Sequence, residues 1–92
     1  MTGSKIKEVV EMYQLKLVEL GVESTDFDHA TLSPSSEAAL NHCLGMLPKM
    51  IDFVDEGRIE KAFRWLGFIQ GVLWDRGIYT LDALMNHNRP AE

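Results

Sequence analysis

Apolar residues recur along most of this chain three and four positions apart, the period of a helix that buries one face. In the first stretch, Ser4 to Leu20, that face is Ile6, Val9, Val10, Tyr13, Leu17 and Leu20, and Lys5, Lys7, Glu8, Glu11 and Lys16 take the wet side. Met12, Leu15 and Val18 lie off the face, so this helix is expected to be covered on more than one side. Ser4 is placed to cap its start and Gly21 to take the left-handed position at its end. In the second stretch Leu40, Leu44, Leu47, Ile51 and Val54 keep a near-heptad register, which Cys43, Met46, Met50 and Phe53 broaden. Ser33 reads as its N-cap, Pro34 as its first helical residue and Glu37 as an acid in the first turn. Pro48 removes the hydrogen bond to the Leu44 carbonyl, beside Gly45. The pattern continues in phase, so a kink near residues 44–48 is expected, not a break.

The third stretch, Gly57 to Gly77, is apolar around too much of its circumference. Ile59, Phe63, Leu66, Ile69 and Leu73 form one stripe, while Trp65, Phe68, Val72 and Trp74 lie largely off it. A helix on the surface of a small monomer needs one apolar face. Two faces predict a helix at the centre of a homo-oligomer, most simply a homodimer. Gly67 and Gly71, four apart, suit a close helix crossing. That crossing serves either a dimer interface or packing within one chain, and both readings stay open. The expected interface comprises Phe63, Trp65, Gly67, Phe68, Gln70, Gly71 and Trp74. Gln70, if buried there, needs partners for its amide.

The link Asp55–Arg58 is short, so the second and third helices should form an antiparallel hairpin. Thr80 can cap a last short helix with Leu81, Leu84 and Met85 facing inward, followed by a tail over residues 89–92. Residues 22–32 have no sustained period and read as a loop anchored by Phe27 and Leu32. The expected fold is all-α: a single helical domain over residues 1–92, with three main helices and a short C-terminal one, completed by dimerisation into a bundle.

Composition supports association. A 92-residue chain is marginally stable on its own core unless disulfides, a metal or a partner add to it. Cys43 is the single cysteine, and three scattered histidines offer no zinc-ligand spacing. Self-association is the remaining remedy. A net charge of -5 argues against phosphate-neutralising nucleic-acid binding. Residues 1–57 carry four Lys against ten acids and residues 58–92 five Arg or Lys against four. An imbalance of this kind sets solubility and association rate before anything else. The polar start MTGSKIKEVVEMYQ is unlike a signal peptide, and no run of about 18 apolar residues predicts a membrane span. A cytoplasmic protein is expected.

Catalytic signals are thin. Glu8, Glu11, Glu19 and Glu23 resemble the paired acids with which helical nucleotide pyrophosphohydrolases hold magnesium, but the second helix offers no matching pair mid-helix. His29 beside Asp26 and Asp28 has no specific spacing, and His42 and Cys43 diverge on a helix. Arg64 could receive an anionic ligand, though pairing with Glu60 one turn back is the simpler reading. Trp65 and Trp74 suit packing better than ligand stacking. No catalytic residue, metal or cofactor is assigned.

The C-terminal half, with Glu60-Lys61-Ala62, Arg64 to Gly71 (RWLGFIQG), Trp74, Thr80-Leu81 and His87-Asn88-Arg89, resembles a group of small uncharacterised proteins encoded by bacteriophages and prophages. The preceding stretch, from Asn41-His42 to Asp55-Glu56-Gly57-Arg58, belongs to the same pattern. The resemblance implies a phage accessory protein acting in the host cytoplasm and brings no activity with it. The leading expectation is a homo-oligomeric protein-binding module. The alternative is a nucleotide-related enzyme or small-ligand binder with a site between helices. A third reading, an acidic nucleic-acid mimic, is opposed by Lys5, Lys7 and Lys16.

Overall fold

The computed structural model describes residues 1–30 and 32–90. Four helices follow one another, α1 (Gly3–Glu19), α2 (Ser36–Asp55), α3 (Ile59–Asp75) and α4 (Leu81–Asn88), with no strand among the described residues. Position 31 of the expected loop and positions 91 and 92 of the expected tail lie outside the described residues.

Two helix starts differ from expectation. α1 is capped by Thr2, whose Oγ1 accepts the Lys5 N–H at 3.1 Å, and Ser4 lies inside the first turn. Thr2 and Ser4 are comparable caps locally. The tertiary fold presses Gly3 against the α2–α3 corner, where an added Cβ would stand 2.8 Å from Val54 and 3.1 Å from Ile59, and so starts the helix early. α2 is capped by Ser35, which accepts the Ala38 N–H at 3.1 Å. Ser33 instead donates its hydroxyl to the Ser35 carbonyl at 2.8 Å, and Pro34 precedes the helix. The chain before Ser35 is still returning across α2, so it cannot begin the helix sooner. Glu37 does occupy the first turn, and α2 runs unbroken through Pro48. Thr80 caps α4 by accepting the Ala83 N–H at 3.1 Å.

The ends of α1, α2 and α3 share one device. Gly57 takes φ +78, its N–H donates to the Val54 carbonyl at 3.0 Å, and the Arg58 N–H donates to Phe53 at 2.7 Å. These paired bonds satisfy carbonyls that the helix end would leave bare. Gly21 and Gly77 repeat the pattern, with Val22 and Ile78 donating back to Leu17 and Leu73. Apolar contact usually accompanies this motif. At Gly57 the Arg58 guanidinium lies 5.1 Å from the Phe53 ring centroid instead.

α1 packs against each of the other three helices. Its Ile6, Val9, Val10, Tyr13 and Leu17 are fully buried, against Leu47 and Met50 of α2 and Leu66, Ile69 and Leu73 of α3. It runs antiparallel to α2, with Gly3 beside Val54 and Lys7 ion-paired with Asp55. α2 and α3 form the expected hairpin, in which Phe53 meets Trp65 edge to face at 4.8 Å.

The core is narrower than the sequence pattern suggests. Leu15 and Val18 are exposed, so α1 is not covered on a second side, and Leu20, just past the helix, is exposed too. On α3 the buried seam runs Ala62, Leu66, Ile69, Leu73. Phe63 is displaced from the expected stripe, because the small Ala62 takes the core position near the α1 end of the bundle. Leu84 is the apolar residue that α4 buries, and Leu81 and Met85 are exposed, since this eight-residue helix rests chiefly on α1.

Candidate functional site

Three features stand out once the core is accounted for: the outer face of α3, a cleft between α2 and α3, and a polar cluster under α4.

The outer face of α3 carries most of the residues expected at an interface. Phe63, Phe68 and Trp74 are 47%, 55% and 52% exposed, and Gly67 and Gly71 are exposed between them. A Cβ added to either glycine meets nothing within 4 Å. Packing within the chain therefore gives no reason for these glycines, each of which costs up to about 1 kcal/mol in a helix interior. Trp65 and Gln70 are placed differently. Trp65 is half-buried on Phe53, with the Lys61 ammonium 5.8 Å from its ring centroid. Gln70 is half-buried and bonded within the chain. Arg64 makes the expected pair with Glu60, at 3.5 Å.

The cleft, about 500 Å³, opens beside this face. Asp26 to His29, Leu32 and Ser33 form its far side, because the backbone at Thr25 comes down onto α2. The Thr25 N–H donates to the Asn41 carbonyl at 3.0 Å. An added Cβ on Gly45 would stand 2.7 Å from the Thr25 carbonyl oxygen. Gly45, like Gly3 at the start of α1, is thus a helix glycine with a steric reason inside the chain, and the apolar pattern had directed attention to Gly67 and Gly71 instead. Its cost in the middle of a strongly apolar helix was the available signal. Phe27, expected to anchor the segment to the core, rests instead on His42 of α2, its ring 6.1 Å from the imidazole, while Val22 packs on the core. Leu32 does not. It is 93% exposed at the cleft rim, too far out to reach the core. α2 contributes Ala39, His42, Met46 and Lys49 to the cleft, and α3 contributes Arg64, Trp65 and Phe68.

Beneath α4, Gln70 and Asn88 exchange two amide hydrogen bonds, at 2.7 and 3.0 Å. Gln70 Nε2 also lies 3.0 Å from Tyr13 Oη, which it serves as a donor. Tyr13 Oη in turn donates to His87 Nδ1 at 2.8 Å. His87 fastens α4 to α1, and its ring lies edge-on to Tyr79 at 4.7 Å. Burial pushes the Tyr13 hydroxyl up to about 12, and among the described residues every buried side-chain polar atom is partnered. Burial, followed by the charge of Lys5, lowers the pKa of His87.

That shift sets a pH dependence. A histidine whose folded pKa lies below its ordinary value, about 6.5, binds fewer protons folded than unfolded. Its contribution is present above the unfolded pKa and is lost as pH falls through the folded one. Stability should therefore fall as the pH drops below about 6.5, and His87→Gln should flatten that slope in urea melts at stepped pH. Asp26, whose carboxyl the Lys49 ammonium holds below its ordinary range, acts only at lower pH. An unchanged slope in the variant would show that His87 is not responsible.

Cys43 is buried and its thiol is pushed up to about 12, which removes it as a nucleophile. Among the described residues no group of three His, Cys, Asp or Glu is gathered to hold a metal ion, and Glu8 instead pairs with Lys5. No described helix is long and apolar enough to cross a membrane. Comparison with protein-family models, curated proteins and solved structures yields no match.

Proposed function

We propose that this chain is a small binding module, of the accessory kind that its phage resemblance implies, and that its first partner is a second copy docked on the outer face of α3. The observation that carries this reading is the open space over Gly67 and Gly71, flanked by half-exposed Phe63, Phe68 and Trp74. A two-fold interface must be self-complementary, the same patch supplying both projections and recesses. This face supplies both: rings at its edges and a side-chain-free strip at its centre. Three half-exposed rings present roughly 300 Å² of surface. The remainder of the ~800 Å² that a stable interface buries per partner would come from residues beside the helix.

The experiment is light scattering over a dilution series on the wild type and on Gly67→Leu/Gly71→Leu. The wild type should pass from dimer to monomer on dilution, with a melting temperature that falls alongside. The double variant should be monomeric throughout yet folded, since a Cβ at either position points into open space. Its monomer should gain up to about 1–2 kcal/mol from helix propensity. A variant that keeps the dimer mass would remove α3 from the interface. A wild type that is monomeric at every concentration would leave the face to a different protein.

A further inference from the structure

The cleft has a shape and a set of donors that self-association does not require. Its volume, about 500 Å³, falls within the range of roughly 300–1,000 Å³ typical of small-molecule sites. Its walls are flat and apolar where Trp65, Phe68, Met46 and Phe27 line it. The Trp65 wall is preset, because Phe53 holds the indole edge to face at 4.8 Å.

The polar groups in the lining differ in how far they are already committed. Lys49 and Asp26 are paired with each other at 3.0 Å. Asp28 accepts the Ala30 N–H at 2.9 Å. His42 accepts the Phe27 N–H on Nδ1 at 3.3 Å, which places the proton of the neutral ring on Nε2 and makes that atom a donor. Arg64 is held only through Nη1, at 3.5 Å, by a Glu60 side chain that is 89% exposed. An exposed pair of this kind is worth little and yields readily to a better acceptor. The carboxylates are therefore occupied, while a guanidinium fork and an imidazole N–H remain to be used.

We propose that the cleft binds a small aromatic carboxylate. Its ring would lie against Trp65, Phe68 and Met46. Its carboxylate would meet Arg64, the residue type whose planar fork matches that group, with His42 Nε2–H as second donor. The site is complete within one chain and does not depend on a dimer.

The test is an amide NMR titration with 2-naphthoate, 2-naphthylmethanol and 2-naphthylmethylammonium. It is run at a protein concentration where light scattering shows a single species. Naphthoate should give saturable shifts confined to residues 25–30, 38–49 and 64–68. The neutral and cationic analogues should bind at least roughly tenfold more weakly, as expected when a charge-assisted hydrogen bond is lost. Arg64→Gln, an exposed substitution, should bring naphthoate down to the level of the alcohol and leave the alcohol unchanged. Ala39→Phe, which fills the cleft, should abolish binding while amides of α1 and α4 keep their positions. Equal binding of all three compounds, no saturable shift, or shifts centred on Phe63, Gly67, Gly71 and Trp74 would overturn the assignment. The last outcome would mark the outer face of α3 as a general apolar surface.

Discussion

Gly45→Val should lower the stability of the fold by about 2–3 kcal/mol, at the upper end of the cost of overpacking. For a domain of this size that is a fall in melting temperature of roughly 8–20 °C. The reason is local and rigid. An ideal Cβ at position 45 stands 2.7 Å from the Thr25 carbonyl oxygen, 3.3 Å from its carbonyl carbon and 3.4 Å from Ser24 Oγ. The nearest two atoms are backbone, which cannot rotate away, so the chain around Ser24 and Thr25 must lift off α2. It would lose the Thr25–Asn41 hydrogen bond and open the cleft. Alanine at the same position gains helix propensity and meets the same oxygen, so its net effect should be small while the Thr25 amide still loses protection from exchange. Gly67→Ala and Gly71→Ala, with open space around them, should each stabilise the monomer by up to about 1 kcal/mol. Urea melts of the four variants check the contrast. If Gly45→Val melts with the wild type, the segment does not rest on α2 in solution.

Tyr13→Ala should be close to intolerable. Tyr13 is among the largest fully buried side chains, and it stands where α1, α3 and α4 meet. Removing a buried aromatic ring costs about 3–5 kcal/mol. A domain of this length holds a net stability of roughly 5–14 kcal/mol, so one substitution takes a large share of it. Tyr13→Phe separates ring from hydroxyl. It keeps the packing against Tyr79, whose ring centroid lies 5.6 Å away, and leaves His87 Nδ1 without its donor. Its cost should be about 1–2 kcal/mol. Exchange should rise first in the amides of α4, because Leu84 is then the main remaining anchor of that helix. Tyr13→Phe and Tyr13→Ala of equal stability would show that the hydroxyl, not the ring, carries the junction.

Periodicity alone determined the helices of this protein. The spacing of Ile6, Val9, Val10, Tyr13 and Leu17 identified the buried face of α1, and Leu66, Ile69 and Leu73 that of α3. The glycines that end α1, α2 and α3 could be read from sequence, because only a left-handed residue closes those ends. The pairing of Arg64 with Glu60 was likewise local. Gln70 was legible as a residue that would need partners, but not which ones, since Tyr13 and Asn88 lie 57 and 18 positions away.

What tertiary structure decided was which apolar residues the core had room for and what the others were left to do. Leu15, Val18, Phe63 and Leu32 are as hydrophobic as residues in the core and lie in water, because a bundle this small closes around one narrow seam on each helix. The caps Thr2 and Ser35 were chosen over equally good neighbours by chain segments that had to pass elsewhere. The cleft was invisible in sequence. It exists because a loop without periodicity crosses α2 at Gly45, and a backbone carbonyl meeting a missing side chain leaves no trace in the spacing of apolar residues. Spacing reports which side of a helix faces inward. How close another segment comes, and what it encloses, is set by contacts between residues far apart in the chain.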